Sequence, residues 1–315
     1  MSQYKVYIQQ IKTTINGKEE LQFPDDWVFA AYLGFNKLGM DIVFFENILE
    51  VPKSKFHIVV SFVEDTKVFF NRMQIRVPRS INIPSDLPEK YIDRKYFITS
   101  LGKLKEMNLQ GSWFVKPAYK FKIGASGVLS DLSKKSLNLI LNDVNDKEMM
   151  LVSEVVDFIS EYRCFVHHKK LIGIQNYMGD FTMFPDINII EGILNDFKTS
   201  IVAYTIDVGV TKEGKTLLIE IQDAWSIGNY GLEGKTYAKF LRDRWIQIMN
   251  ENKYLELEIK DLIGKTFEEA QIICEENGYY IRDSTNSSAY GADLSSKRFN
   301  VYKFKDDKIF SLSNG

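Results

Sequence analysis

Apolar and polar residues alternate over residues 4–11, which predicts a strand. Two short apolar runs, DIVFFE at 41–46 and HIVVSFV at 57–63, have the look of buried strands. Between the first strand and these runs, Asp25 and Asp26 precede WVFAAYLGFNKLG. Its apolar residues fall at amphipathic helical spacing and stop at Gly39, so a helix is predicted. RSINIPSDLPEKY, with Pro84 and Pro88, reads as a connector, and a helix is predicted after it over about 89–107. The first hundred residues therefore read as a small α/β domain leading into something larger.

From Trp113 the pattern becomes that of antiparallel strands. WFVKPA, MLVSEVVDF, EYRCFVHHKKLIGIQNY, IVAYTIDVGVT and KTLLIEIQDAW are the runs, with HHKK (167–170) and TKEGK (211–215) as polar hairpin turns. TYAKFLRDRWIQIMNEN then has helical spacing. A compositional seam falls at 256–260. Beyond it, Thr266 and Glu269 have the spacing of a capping box, and a hairpin is expected to turn at Asp306–Asp307. Between them DSTNSSAYGADLSSK reads as an exposed loop.

Composition adds mainly exclusions. The 315 residues suggest about two domains. A hydrophobic share of 45% and a charged share of 26% exclude collagen-like, coiled-coil or wholly disordered chains. A net charge of -2 argues against coating nucleic acid or an anionic membrane. Cys164 and Cys274 make neither a disulfide framework nor a thiolate metal site, and three histidines alone cannot build a histidine-rich metal centre. His167 and His168 read as exposed hairpin residues rather than a phosphohistidine site. No signal peptide, no membrane span and a reducing, cytoplasmic setting are expected.

The chemistry is carried by charges on strands. Lys116 precedes Pro117; Lys120 and Lys122 follow, then a small-residue loop with Gly124 and Gly127. Glycines let backbone N–H groups approach an anion and lysines add charge, which suits phosphates. In a strand Glu161, Arg163 and Phe165 point one way, and Tyr162, Cys164 and Val166 the other. Asp207 lies in an apolar run, as does Glu220, with Gln222 on the same face and Asp223 next. Isolated acids in apolar strands are costly unless paired or metal-bound. The TKEGK turn brings Asp207 and Glu220 towards each other, and facing carboxylates call for a cation such as Mg²⁺. The alternatives are plain ones. Lys116 is then a strand-end surface lysine, the two acids are salt-bridge partners of structural lysines, and the glycines only make a turn.

The order lysine, glycine loop, arginine, aspartate, glutamate resembles an ATP-grasp nucleotide site. WFVKPAYKFKIGASG, LVSEVVDFISEYRCFV, AYTIDVGVTKEGKTLLIEIQDAWSIGNYGL and YAKFLRDRW resemble the phage and bacterial branch named for one arginine and two lysines. The resemblance spans about 113–245. It implies an α/β (α+β) architecture in three parts: a pre-ATP-grasp α/β domain at 1–88, an ATP-grasp domain at 89–255 and a small α+β domain at 256–315. It implies that Lys116 contacts phosphates, with Lys122 or Lys120 as the second lysine, Lys122 being preferred. Glu154, Val155 and Val156 would form the adenine and ribose hinge. Glu161 would touch nucleotide or support Arg163, which would stabilise the transferring phosphoryl group. Asp207 and Glu220 would hold Mg²⁺, joined by Gln222, where the family has Asn, and Asp223.

The implied activity is an ATP- and Mg²⁺-dependent carboxylate–amine ligase that passes through an acyl phosphate. Its substrates would be an acid and an amine, on a peptide, protein or amino acid, with neither nucleic acid nor membrane involved. Phosphoryl transfer needs positioning and cations more than a protein nucleophile. The alternative is a non-catalytic nucleotide-binding or inhibitor-type binding protein. The inhibitor reading comes from residues 259 onward. IGKTFEEAQIICEENGYYIR and KRFNVYKFKDDKI resemble small potato-inhibitor-like protease inhibitors, with 284–297 as the binding loop. Trp225 and Tyr230 either line a substrate channel or simply pack. Aromatics are 13% of the chain, and Phe114, Tyr119, Phe121, Phe158, Tyr162, Phe165, Tyr177, Tyr204, Trp225 and Tyr230 are expected around the cleft.

Overall fold

The computed structural model describes residues 3–15, 18–107, 109–119, 127–141, 144–251, 257–285 and 298–314. The chain divides into two compact units, Met1–Thr66 with Pro78–Gln247, and Lys67–Val77 with Ile248–Gly315.

The larger unit opens with β1 (Lys5–Gln9), whose Val6, Tyr7 and Ile8 are all buried. A ribbon of β2 (Ile11–Ile15) and β3 (Lys18–Gln22) follows. In α1 (Asp26–Lys37), Asp25 caps the start by accepting the Trp27 N–H at 3.3 Å. β4 (Asp41–Phe45) and β5 (His57–Val60) lie on either side of β1, both parallel to it, so β1 is covered at both edges. The apolar run from His57 does not remain a strand to Val63. There α2 (Val63–Arg72) begins, with Glu64 and Asp65 in its first turn, where the helix dipole favours acids.

The helix expected over 89–107 is corrected. Only one helical turn forms at Glu89–Tyr91; then β6 (Tyr96–Ser100) is a strand, and α3 (Leu101–Met107) is short. The β-branched and aromatic sequence YFITS suits a pleated surface, and pairing decides it. β7 (Leu109–Pro117), β8 (Gly127–Leu132), α4 (Lys134–Ile140) and β9 (Met149–Glu154) complete a four-stranded antiparallel sheet in the order β6-β9-β7-β8. Leu101, Leu104 and Leu137 pack against Val115, Met150 and Val152 on one face of it.

A second antiparallel sheet is built from β10 (Phe158–His167), β11 (Lys170–Gly179), β12 (Ala203–Thr211) and β13 (Thr216–Asp223), in the order β11-β10-β12-β13, with α5 (Ile187–Asp196) between β11 and β12. Its hairpins turn where the sequence predicts. His168 and Lys169 have φ of 48° and 60°, and Gly214 has φ of 81°. Tyr162, Cys164, Val166, Tyr204, Ile206 and Val208 pack with Ile190 and Ile193 of α5, which leaves the alternate residues for the opposite face. α6 (Gly234–Glu251) follows, with its residues to Gln247 in this unit. It meets α1 through two glycines: a Cβ on Gly34 would stand 1.9 Å from the Gly234 carbonyl oxygen.

The second sheet has several register irregularities, and two of them lie beside the charged residues. Asp207 pairs with Glu220 but Val208 with Leu218, so Ile219 is an extra residue in β13. Glu161 pairs with Met178 but Tyr162 with Asn176, so Tyr177 is extra in β11. Bulges re-aim side chains beside functional sites.

The smaller unit contains α7 (Ile259–Leu262), α8 (Phe267–Glu276), β14 (Tyr280–Asp283), β15 (Arg298–Lys305) and β16 (Lys308–Asn314), with sheet order β14-β15-β16. The predicted capping box is present. Thr266 Oγ1 accepts the Glu269 N–H at 3.1 Å and Glu269 Oε2 accepts the Thr266 N–H at 2.9 Å. Ala270, Cys274, Phe299, Val301 and Ile309 form its core. Most of the loop 284–297 lies outside the described residues. No described helix is long and apolar enough to cross a membrane.

Candidate functional site

Two cavities of about 380 Å³ each open between the two antiparallel sheets of the larger unit. That size falls in the range of small-ligand sites, about 300–1,000 Å³. Both are lined by Phe114, Lys116, Tyr177 and Glu220.

The first cavity holds the charges. Arg163, Asp207 and Glu220 lie side by side across β10, β12 and β13, as direct register partners. Arg163 donates bidentately to Asp207, from Nε to Oδ1 at 2.9 Å and from Nη2 to Oδ2 at 2.6 Å. Both residues are nearly fully buried, at 6% and 2% exposure, so the pair cannot be treated as a surface ion pair. Burial works against the guanidinium charge, but the Asp207 carboxylate outweighs it and holds Arg163 protonated well above its usual range. The guanidinium lies 4.7 Å from the Tyr230 ring centre and 5.8 Å from that of Tyr177. Lys116 Nζ donates to Glu220 Oε2. The Gln222 amide donates to Glu220 Oε1 and, at 3.2 Å, to Asp207 Oδ2, so its side chain bridges the two carboxylates.

Asp207, Glu220 and Gln222 thus converge as a cluster of hard oxygen donors, which is the donor chemistry that Mg²⁺ takes. Amide oxygen and nitrogen exchange places by a rotation, so Gln222 can present Oε1 to a cation. Asp223 does not join them. It faces the other side of β13, is 2% exposed, and is held bidentately by Arg244 of α6, with Arg244 Nε donating to Oδ1 at 2.7 Å.

The second cavity is more apolar. Glu154, Val155 and Val156 line it, with Ile83, Val128, Leu151, Phe158 and Glu161. Glu154 is fixed at its side chain, where Oε2 accepts the Lys95 N–H at 2.8 Å. Gly127 begins β8, and a Cβ there would meet nothing within 4 Å. Lys120, Lys122 and Gly124 lie outside the described residues.

Sequence reasoning missed three residues that shape these walls. Arg94, inside the misassigned helix, donates to the Leu218 and Ile219 carbonyls at 2.7 and 3.2 Å and to Ser153 Oγ at 2.8 Å. It therefore satisfies the acceptors freed by the β13 bulge and ties that strand to β9. Burial lowers its pKa to about 10, which still leaves it charged at neutral pH. Asn176 does the same for the β11 bulge, donating to the Glu161 and Met178 carbonyls at 3.2 and 3.0 Å. Asn82, with φ of 57°, exchanges backbone hydrogen bonds with Ile221 at 3.0 and 2.7 Å and donates from its amide to the Ala118 carbonyl. Pro84, two residues on, was the only local signal for that turn.

The aromatic expectation is corrected in part. Phe114, Phe158, Tyr177 and Tyr230 face the cavities. Tyr162 and Tyr204 point into the opposite core, Phe165 packs on Phe240, and Trp225 lines a small separate void beside Trp245. Phe121 lies outside the described residues.

Residues 91–240 match the family model for an ATP-grasp domain of the clade named for one arginine and two lysines, family 2. This stretch, just under half of the chain, is an ATP-grasp domain, and the fold is α/β of that type. No curated protein matches the sequence. Among solved structures, the L-amino acid ligase from Bacillus licheniformis is 13% identical, with a TM-score of 0.48, and the alignment covers 82% of this chain and 79% of that one. An ATP-grasp RimK domain protein from Sphaerobacter thermophilus is 11% identical with a TM-score of 0.43, covering 77% and 99%. The D-alanine–D-alanine ligase from Bacillus anthracis, in complex with ATP, is 11% identical with a TM-score of 0.40, covering 79% and 99%. Likenesses this distant say nothing of substrate.

Proposed function

We propose that this protein is an ATP- and Mg²⁺-dependent carboxylate–amine ligase acting on a peptide, protein or amino acid. The observation that carries the reading is the row Arg163–Asp207–Glu220, with Lys116, in a cavity between two antiparallel sheets of an ATP-grasp domain.

In this reading the adenine lies in the apolar cavity against Val155, Val156 and Leu151, with Glu154 and Glu161 towards the ribose. The phosphates extend past Lys116 into the charged cavity, with Lys122 or Lys120 as a further phosphate contact. Asp207, Glu220 and Gln222 hold the cation, which neutralises phosphate charge when bound. Asp223 is left with Arg244. Lys116 and Arg163, which border the same cavity, would face the γ-phosphoryl group. That group passes to a substrate carboxylate, and the amine then displaces phosphate to form the amide. Phe114, Tyr177 and Tyr230 exclude water that would otherwise hydrolyse the acyl phosphate.

The parts proposed around this site are a pre-ATP-grasp domain at 1–88, the ATP-grasp domain at 89–255 and an appendage at 256–315 that recruits substrate or partner. A reducing, cytoplasmic setting belongs to the same reading, and both cysteines are free and buried.

The test is ADP release on addition of a candidate acid and amine, with Glu220→Gln as the diagnostic variant. We expect that variant to lose Mg²⁺-dependent ATP binding and turnover; retention of both sinks the site assignment. One observation favours a second reading. Gln222 stands where the resembled family has Asn, with its amide one carbon further out at the proposed cation site. Tight ATP binding with no ADP release on any acid and amine pair would select that reading.

A further inference from the structure

We infer that His167, His168 and Asp243 form a binding site for one divalent late transition metal ion, zinc foremost, separate from the nucleotide cavity. Neighbouring residues of an extended strand point to opposite faces. His167 ends β10, but His168 has φ of 48°, and that left-handed turn brings both rings to one side, with centroids 4.3 Å apart. Both Nε2 atoms then reach the same oxygen, Oδ2 of Asp243 on α6, at 3.0 and 3.2 Å. The three ligand atoms all lie within 4.8 Å of one another. A tetrahedral zinc ion with bonds of about 2.0–2.1 Å needs ligand atoms about 3.4 Å apart. Small ring rotations therefore suffice.

The surroundings suit a cation. Arg242 Nε donates to the other oxygen, Oδ1, at 2.7 Å, so the carboxylate is oriented with Oδ2 towards the imidazoles. Burial alone would raise the Asp243 carboxyl, but the hydrogen bonds from His167 and Arg242 outweigh it and hold the group well below the usual carboxylate range. His167 and Asp243 are mostly buried, at 14% and 20% side-chain exposure, while His168 at 59% leaves the entry open. Two imidazoles and one carboxylate leave the fourth position of a tetrahedral ion to water, a set that late transition metals favour over Mg²⁺. The site is four residues along β10 from Arg163, roughly 13 Å at strand rise, and none of its residues lines either cavity. A bound ion would staple the β10–β11 hairpin, which carries Arg163 and Tyr177, to α6.

The test uses the full chain, stripped with chelator and kept in excess Mg²⁺ so that the carboxylates of the cavity are occupied. Zn²⁺ is titrated against a chromophoric competitor, and Co²⁺ serves as the spectroscopic probe. The wild type is expected to bind one equivalent and to show the visible bands of four-coordinate Co²⁺. His168→Ala and Asp243→Asn are expected to weaken binding about a hundredfold or more, with the thermal shift of His168→Ala on ATP and Mg²⁺ unchanged. The inference is overturned if the Co²⁺ bands are absent, or if His168→Ala binds Zn²⁺ as tightly as the wild type.

Discussion

Two buried carboxylates on neighbouring strands, Asp207 and Asp223, each hold an arginine bidentately, yet only Asp207 faces the cavity. Their environments are alike in burial and differ in what lies beside them. Asp207 has Gln222 and Glu220 within its cluster; Asp223 has Arg244 and the helix α6. Removing one partner of a buried pair costs about 3–5 kcal/mol, because the other charge is left unpaired. Asp223→Asn is therefore expected to lower unfolding free energy by about that amount, measured by urea denaturation, and to leave the affinity of the folded protein for ATP and Mg²⁺ unchanged. A matching loss of metal-dependent ATP binding would return Asp223 to the metal ligands.

At the scale of elements, the strands and their faces were legible and the irregularities were not. Period-two alternation placed Tyr162, Cys164 and Val166 on the face opposite Glu161 and Arg163, and the structure has them so. The turn chemistry of HHKK and TKEGK fixed the hairpins, and with them the pairing of Asp207 with Glu220. The strand β6 was hidden because its apolar residues also fit helical spacing, and only its partner β9 decides between the two. Arg94 was missed for the same reason, since its role depends on a bulge in a strand more than a hundred residues away. It donates to the Leu218 and Ile219 carbonyls at the bulge and to Ser153 Oγ of β9. Each buried acceptor left unmet costs about 1–3 kcal/mol. Arg94→Leu is expected to destabilise the protein by at least that much and to weaken ATP binding, as read by denaturation and calorimetry. Unchanged values in both would show that the clamp is dispensable.

At the scale of the whole molecule, the two compact units differ in what they carry. Both cavities belong to the larger one, and the smaller one has its own core. A ligand that binds only folded protein stabilises it by mass action, about 2.7 kcal/mol at a hundred times its dissociation constant. ATP with Mg²⁺ is therefore expected to raise the calorimetric transition of the larger unit and leave that of the smaller unit in place. A shift confined to the smaller unit would relocate the nucleotide site.

Ile219 makes the chemistry of β13 a matter of parity. Its one extra residue lets Leu218 stay in the hydrophobic core while Glu220 and Gln222 emerge on the other face. Take that residue away and every side chain to one side of it changes faces. What the position requires is therefore a residue count more than a particular side chain. Lineages of this protein should exchange Ile219 freely for other apolar residues, gain and lose residues in the 212–215 turn, and tolerate neither an insertion nor a deletion between Leu218 and Gln222.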